Sequence, residues 1–346
     1  MIFVGIDISS KDFVVHAIKD NKKVVINGVS YSPTREGLRK MLKDLGKQKK
    51  LIVIEAGNQL KWIALFLKKR KDVELHVVHP NELKWITQSG KKTDKADAKK
   101  MAELARIDGL PRKVHVVEGS IRDLRELLSA RENLMKKRVA LINSIRGALK
   151  QEGVSLPAKF FSTKEWKTKL ESTKLGKTQK VIITSYMHAL EQMKVAEDDI
   201  LAEIQKIKDP RLELLESIPA IGPITSRILL SGLDNAERFD NKKSVAKYGA
   251  LTPRVYQSGN KKTIGKISND GRKEMRRCLL QCAHTINRMK KNQSAKPLYE
   301  FSQRIAVKRN KKIAAVATAR KLLTVAYGVL KNGEFYDPSQ LIPNAA

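Results

Sequence analysis

Four acidic residues stand out in a chain where most carboxylates lie among lysines and arginines. Asp7 lies inside the apolar stretch FVGIDIS, where an unpaired charge is costly. Glu55 ends another apolar stretch, LIVIEA, at the side where open α/β sheets bind ligands. Asp94 and Asp97 are three residues apart in KTDKADAKK, so on a helix they share one face. Carboxylate oxygens are the ligands that Mg²⁺ or Mn²⁺ prefers, so these four side chains are candidate metal ligands.

Such a group of carboxylates suits chemistry at a phosphodiester. Two divalent ions about 3.5–4 Å apart can neutralise the phosphate and stabilise the attacking and leaving oxygens. Each residue also has a purely structural interpretation: Asp7 caps a turn, Glu55 pairs with a lysine, and Asp94 and Asp97 favour the start of a helix. The residues alone leave both interpretations open.

A serine and a tyrosine lie two positions apart in the basic segment RVYQSGNKK, residues 254–262. Ser-Gly is usually a turn signal, so Ser258 is either the polar residue of a turn or a nucleophile for a DNA phosphate. A hydroxyl is a weak nucleophile, and no His or Asp within a few residues could activate Ser258. Tyr256 is the competing nucleophile, but a tyrosine mechanism would give the four carboxylates no role.

The charge of the chain indicates a polyanionic partner. Its 346 residues include 69 Lys and Arg against 36 Asp and Glu, a formal net charge of +33. Residues 251–280 alone hold eight basic and two acidic side chains, which suits a phosphate backbone, although any one of them is equally explained as a solvated charge. The candidate nucleic-acid-binding residues are Arg254, Lys261, Lys262, Lys266, Arg272 and Arg276.

Composition argues against a membrane or secreted protein. The basic residues are spread over the whole chain, no run of 18 apolar residues occurs, and the first residues do not resemble a signal peptide. Cys278 and Cys282 are predicted to be buried small residues in a reducing compartment. We therefore expect a cytoplasmic, nucleoid-associated protein of a prokaryote.

The elements that would position these residues can be read from hydropathy patterns. Three strands followed by strand–helix alternation predict a mixed α/β sheet with helices packed on it. The predicted strands are residues 2–9, 12–19, 22–31, 51–56 and 73–79, and the predicted helices are 34–47, 58–70, and much of 80–108.

From about residue 119 the pattern becomes helical. Long amphipathic helices at 121–151 and 177–207 suit an intramolecular hairpin or a coiled-coil dimer contact. Further helices are predicted at 272–290 and 313–331, with a basic loop before them. Within IPAIGPITS, residues 218–226, a helix–turn–helix resembles a helix-hairpin-helix element, with Ala220 where a glycine is common and Gly222 as a turn residue. The predicted domains are residues 1–112, 113–208 and 209–346.

The opening segment GIDISSKDF also resembles the phosphate-binding strand–turn of sugar kinases and actin-like ATPases. Those proteins need a second glycine-rich phosphate loop after a later strand. The sequence has neither such a loop nor a GxxxxGK[ST] motif, which disfavours a kinase.

Taken in order, GIDIS, VIEA and KTDKADA resemble the RuvC-like DEDD domain of the IS-one-ten family of insertion-sequence transposases, relatives of the Piv DNA invertases. The segment from LLESIPAIGPITS to MRRCLLQCA is similar to that family's C-terminal transposase domain, and RKLLTVAYGVLKNGEFYDP to its closing helix. The middle helices match in character only. The resemblance implies an RNase H/RuvC-like domain, a helical coiled-coil-like middle and a mostly helical C-terminal domain.

The resemblance also implies a mechanism. Members of the family are DNA recombinases guided by an element-encoded bridge RNA that pairs with donor and target DNA. Their DEDD carboxylates, here Asp7, Glu55, Asp94 and Asp97, hold the metal, and their catalytic serine falls on Ser258. A homodimer assembling to a tetramer is implied, because the acidic domain of one protomer meets the serine domain of another. The alternatives are a RuvC-like metal nuclease without a covalent intermediate and a non-catalytic nucleic-acid-binding protein.

Overall fold

The fold is that of a computed structural model, which describes residues 1–57, 59–87, 93–259, 261–268 and 270–341. Contacts divide the chain into two compact units, residues 1–116 (unit 1) and 117–346 (unit 2). The three-domain division expected from the sequence stays a prediction.

Unit 1 is built on a five-stranded mixed sheet with the strand order β3-β2-β1-β4-β5. The first three strands are antiparallel neighbours, whereas β1, β4 and β5 run parallel. Its elements are β1 (Ile2–Ile8), β2 (Phe13–Lys19), β3 (Val24–Tyr31), α1 (Arg35–Leu45), β4 (Lys50–Glu55), α2 (Leu60–Lys68), β5 (Val73–Val78), α3 (Pro80–Thr87) and α4 (Asp94–Arg106). This mixed α/β architecture is consistent with an RNase H-like domain and confirms the predicted fold class.

Helices cover both faces of this sheet. On one face, Ile6 and Ile54 pack in a cluster with apolar residues of α1 and α2. On the opposite face, Phe3 and Val53 pack against Met101 and other buried residues of α4. Because side chains alternate along a strand, the odd-numbered residues of both β1 and β4 face α4.

Gly5 lets α4 lie directly on β1. A Cβ at this position would clash with the carbonyl oxygen of Ala98 and would lie 2.8 Å from the backbone nitrogen of Ala102. These contacts are with helix backbone, which cannot move aside as a flexible side chain can. The absence of a side chain at residue 5 therefore sets the distance between this helix and the sheet.

Replacing Gly5 with alanine is expected to push α4 outward and to lower the free energy of unfolding by about 2–3 kcal/mol, in the range of core overpacking. Urea denaturation of the two proteins measures this. Gly57, whose Cβ would meet no atom within 4 Å, is the matched control, and Gly57→Ala should be close to neutral. Equal stability of Gly5→Ala and the wild type would contradict the close packing.

Where the structure describes it, unit 2 consists of helices and one β-hairpin. Its elements are α5 (Gly119–Gln151), α6 (Trp166–Glu171), α7 (Lys177–Lys206), α8 (Arg211–Glu216), α9 (Pro223–Leu233), α10 (Lys242–Tyr248), β6 (Pro253–Ser258), β7 (Lys261–Ile267), α11 (Lys273–Ile286), α12 (Lys296–Lys308) and α13 (Lys311–Asn332), with short 3₁₀ turns at Phe160–Ser162, Ala236–Arg238 and Pro338–Leu341. The prediction of a basic loop before α11 is wrong, because most of this segment forms the antiparallel strands β6 and β7.

The long helices α5 and α7 pack against each other within the chain. One end of their interface is apolar and includes Ile145 and Met187. Further along, the buried carboxylate of Glu197 pairs with Arg131 at 3.4 Å and Arg138 at 3.2 Å. The intramolecular hairpin is therefore present, and an additional dimer contact stays a prediction.

The end of α7 is held by a buried arginine of α9. Arg227 Nε donates to the carbonyl oxygen of Ile204 at 3.1 Å, and its Nη2 lies 3.4 Å from the carbonyl oxygens of Gln205 and Ile207. The Ile204 carbonyl also accepts from the backbone amide of Ile207 at 3.4 Å, and the guanidinium adds charged hydrogen bonds that interact favourably with the negative end of the helix dipole. The last turn of α7 is thereby fixed to α9.

Between α8 and α9, Ala220 has a left-handed backbone conformation with φ +67°. This is the position at which a glycine is common in the helix-hairpin-helix pattern, and a Cβ is strained there. Gly222 is instead extended at φ −98° and precedes α9 as its N-cap residue.

We expect Ala220→Gly to raise the free energy of unfolding by about 0.5 kcal/mol, because relief of strain exceeds the added entropy of the unfolded chain. Chemical denaturation of the full chain measures the change. Gly222→Ala, at a backbone that any residue adopts, is the control and should be neutral or slightly stabilising. A loss of stability in Ala220→Gly would contradict the strain at this turn.

Within the described residues, one helix is long and apolar enough to cross a membrane, Lys311–Asn332. Half of its apolar window is buried inside the protein. Ala319, Leu322, Leu323 and Ala326 of this helix are fully enclosed in the main core of unit 2. Its apolarity is that of a core helix.

Candidate active site

Asp7 and Glu55 lie at the ends of two adjacent parallel strands. The register pairs Ile6 with Ile54, so both acidic residues follow one position later on β1 and β4. Both face the side of the sheet that α4 covers. The carboxyl ends of parallel strands are where open α/β sheets bind ligands, and the sequence pattern predicted this placement.

Asp94 and Asp97 occupy the first turn of α4. They continue the buried stripe of this helix, formed by Ala98, Met101, Ala102 and Ala105, towards its N-terminus. The Thr93 hydroxyl caps the helix by accepting from the Ala96 amide at 3.2 Å. Because Gly5 seats this stripe on β1, the two carboxylates come to the same end of the sheet as Asp7.

The raised pKa of Asp7 is consistent with this placement. Burial, and then the neighbouring carboxylates of Asp94, Asp97 and Glu55, raise the pKa of Asp7 from 3.8 to about 6. Asp94, Asp97 and Glu55 therefore lie within electrostatic range of Asp7. Together with the strand register and the seating of α4, this places the four carboxylates singled out in the sequence at one end of the sheet.

Within the described part of the chain, no three His, Cys, Asp or Glu side chains are drawn together closely enough to form a metal-binding group. Mutual repulsion opposes a closer approach of the four carboxylates, and Asp97 also lies 3.6 Å from the Lys100 ammonium. The donor set nevertheless fits a hard divalent cation, since it consists of carboxylate oxygens alone.

A cavity of about 310 Å³ opens beside these strand ends. Asp7 and Glu55 line it, together with Ser9, Ser10 and Gln59. The Gln59 side chain donates to the carbonyl oxygen of Ser9 at 2.8 Å, which ties the β1–β2 turn to the start of α2. The cavity gives a ligand access to two of the four carboxylates.

Ser258 is the last residue of β6, next to Gly259, which has φ +55° at the tip of the hairpin. It is exposed, and among the described residues no group hydrogen-bonds its hydroxyl. Its backbone pairs with that of Lys261 across the hairpin. Ser258 thus adjoins a turn and its side chain is exposed to solvent, while its role as a nucleophile stays a prediction.

Tyr256 lies on the same strand but has a packing role. A Cβ on Gly265 would lie 3.2 Å from Tyr256 Cε2, so the glycine across the hairpin makes room for the phenol ring. The side chain is still 59% exposed.

The predicted nucleic-acid-binding residues differ in their surroundings. Arg254 and Lys266 are exposed on the hairpin, whereas Arg272 precedes α11 and pairs with Glu274 at 2.5 Å. Arg276 donates to the carbonyl oxygen of Ser268 at 3.2 Å. The side chains of Lys261 and Lys262 lie outside the described residues.

A second tyrosine, Tyr248, lies among three arginines and was not predicted from the sequence. Burial raises the pKa of its phenol, but Arg272, Arg125 and Arg238 outweigh this effect and lower it. The guanidinium of Arg238 also stacks 4.6 Å from the centre of the ring. Arg238, Arg272 and Arg125 lie about 10, 24 and 123 residues from Tyr248 and belong to separate elements, so spacing gave no signal of the cluster.

Two family profiles match the chain. A transposase profile of the DEDD IS110 type matches residues 4–153, and a second, described as Transposase IS116/IS110/IS902 family, matches residues 212–300. The first covers the converging carboxylates and the second covers the serine hairpin.

Relatives extend the similarity over most of the chain. The transposase for insertion sequence element IS1111A of Coxiella burnetii is 26% identical over 96% of this chain and 90% of its own length. The transposase candidate y4rJ of Sinorhizobium fredii is 30% identical over 82% of this chain and 77% of its own. The pilin gene-inverting protein of Moraxella bovis is 33% identical over 37% of this chain and 39% of its own. With both profiles matched in order and similarity along nearly its whole length, the chain belongs to the IS110 family of insertion-sequence transposases, which are DNA recombinases.

Proposed function

We propose that this transposase cuts and joins DNA through a serine–DNA phosphodiester formed by Ser258, with Asp7, Glu55, Asp94 and Asp97 holding Mg²⁺ or Mn²⁺. The single observation that supports the proposal is the placement of Asp7 and Glu55 at adjacent strand ends, with Asp94 and Asp97 in the first turn of the helix that packs on β1. A purely structural role for each residue would not require them to meet at one end of the sheet.

When bound, the metal would neutralise phosphate charge and stabilise oxyanions at the reacting phosphorus. The chain's own residues do the rest. Arg254 and Lys266, exposed on the hairpin, hold the phosphate backbone. The hairpin presents the Ser258 hydroxyl, whose oxygen forms a bond to phosphorus as its proton is released. The bond from phosphorus to one deoxyribose oxygen breaks, and that oxygen leaves with a proton.

Joining is the reverse of this step. A deoxyribose hydroxyl of a second DNA end attacks the serine-linked phosphorus, a new phosphodiester forms, and Ser258 regains its proton. No external energy source is needed, because each phosphodiester bond broken is replaced by another.

The partners follow from the same proposal. Donor and target duplex DNA are the substrates, and an element-encoded bridge RNA directs the choice of site. A homodimer assembling to a tetramer would allow the carboxylates of one protomer to meet the hairpin of another. The protein acts in the cytoplasm at the nucleoid.

The test is a search for a covalent intermediate. The protein is incubated with its guide RNA, Mg²⁺ and end-labelled donor DNA and is then denatured. A denaturation-resistant protein–DNA adduct is expected. Free cleaved ends without an adduct would indicate a RuvC-like nuclease instead, and binding without cleavage would indicate a non-catalytic nucleic-acid-binding protein.

A further inference from the structure

A groove on unit 2 is lined by side chains of α5, α9 and α11, and no residue of the serine hairpin contributes to it. Its volume is about 450 Å³. Ile224, Ile228 and Cys278 give it an apolar lining, and Thr225 lies in the first turn of α9. The groove therefore begins directly after the turn of the helix-hairpin-helix element.

Basic side chains outnumber acidic ones along this groove. The charged residues that line it are Arg125, Arg131, Lys136, Arg272, Arg277, Glu132 and Glu274. At the rim, Arg277 Nη2 and Lys136 Nζ both lie 2.7 Å from the Glu132 carboxylate, so one negative charge faces two positive charges. The groove keeps a positive excess after its internal ion pairs are formed.

Arg125 has an unused hydrogen-bond donor. Its Nε donates to the carbonyl oxygen of Ser231 at 2.5 Å, which fixes the guanidinium against the last turn of α9. Its Nη2 is buried and has no partner among the described residues. The bond to Ser231 therefore holds a cationic guanidinium in the wall of the groove, where its charge attracts a bound anion.

We propose that this groove binds a phosphodiester of a nucleic-acid strand, with Arg125 and Arg272 along its wall and Arg277 and Lys136 at its rim. A helix-hairpin-helix turn contacts phosphate backbone without reading sequence, and here the first turn of the helix that follows it lines the groove. The apolar lining suits the sugar and base of the same nucleotide. The choice of a nucleic acid rests on the proposed function, but the site does not require Ser258 to be the nucleophile.

The test is the salt dependence of binding. The double variant Arg277→Gln, Lys136→Gln changes rim side chains that are 49% and 63% exposed, so folding should be preserved, and thermal denaturation checks this. Fluorescence anisotropy is measured with three probes of about 20 nucleotides: single-stranded DNA, the same sequence as RNA, and a duplex. For at least one probe, we expect affinity to fall about tenfold at 0.1 M salt and the slope of log K against log[salt] to decrease by about 1–2.

A charge-matched control separates the groove from overall charge. Lys194→Gln, Lys206→Gln removes two exposed ammonium groups from α7 and should change the slope by less than half as much. Glu132→Gln should act in the opposite direction and raise affinity severalfold, because it removes the negative charge at the rim. The proposal would be overturned if the rim double variant and the α7 double variant changed the salt slope equally. It would also be overturned if Glu132→Gln did not raise the affinity.

Further arms identify the ligand. If the rim double variant loses affinity for the RNA probe alone or for the DNA probes alone, that nucleic acid is the ligand of the groove. An equal loss for polyglutamate would overturn the proposal by showing a general polyanion surface. If the wild type forms no covalent adduct, the serine mechanism is contradicted. If the rim double variant still changes the salt slope, the assignment of the groove stands.

Discussion

Ser258→Ala is expected to abolish the covalent protein–DNA adduct and to lower recombination by about a thousandfold or more, the scale on which loss of a nucleophile acts. Ser258 is exposed at the tip of a two-stranded hairpin and makes no side-chain hydrogen bond within the described residues. The substitution should therefore leave the thermal stability unchanged, so that lost activity reports chemistry. DNA binding by the variant should also match that of the wild type.

Two phenol variants test the competing nucleophiles. Tyr256→Phe keeps the ring that packs over Gly265 and should retain the adduct. Tyr248→Phe keeps the ring beneath Arg238 but removes the hydroxyl near the three arginines, and it should also retain the adduct. An adduct in Ser258→Ala that disappears in either phenylalanine variant would assign the covalent bond to that tyrosine.

Asp7→Asn is expected to abolish recombination and yet to raise the stability of the metal-free protein at neutral pH. Burial and three neighbouring carboxylates raise the pKa of Asp7 to about 6, so its ionised form is disfavoured in the folded state. Asparagine keeps the shape and removes the charge. Because Asp7 is partly exposed, solvent screening reduces the gain to roughly 1 kcal/mol.

The pH dependence of this gain has a definite sign. Since the folded pKa of Asp7 is raised from 3.8 to about 6, the unfolded state releases its proton first as the pH rises. Wild-type stability relative to Asp7→Asn therefore falls between about pH 4 and pH 6 and stays lower above that window. Melting temperatures of both proteins in EDTA, from pH 4 to 8, measure the difference.

A matched control and added metal sharpen this prediction. Hydrogen bonds from Ser9 and Ser30 lower the pKa of Asp12, so Asp12→Asn should be destabilising at neutral pH, opposite in sign to Asp7→Asn. Mg²⁺ at a hundredfold excess over its Kd should stabilise the wild type by about 2.7 kcal/mol and Asp7→Asn by much less. Equal stabilisation of both proteins by Mg²⁺ would contradict a role for Asp7 in holding the metal.

Much of unit 1 could be predicted from the sequence. Alternating and continuous apolar runs marked all five strands, and the position of Glu55 at a strand end indicated where a site would form. The helical spacing of Asp94 and Asp97 indicated a shared face. What brings that face to the sheet is Gly5, and a single glycine inside a strand does not reveal which helix packs on it.

Unit 2 was harder to predict because its important contacts are distant in sequence. The hairpin β6–β7 is rich in basic and small residues, and its described side chains form no buried alternating face, so its pattern is that of a loop. The bond from Arg125 to Ser231 spans 106 residues, and the arginines around Tyr248 come from separate elements. Side chains that meet only through tertiary packing leave no periodicity in the chain.

The two ion pairs of Glu197 oppose sliding of α5 and α7 along each other. A helix of 33 residues, the length of α5, spans about 50 Å. Sliding one helix along the other by a turn would separate both arginines from a buried carboxylate, so the pair resists shear. Because Arg227 joins the last turn of α7 to α9, the helix pair is also anchored at this end to the helix that follows the α8–α9 turn.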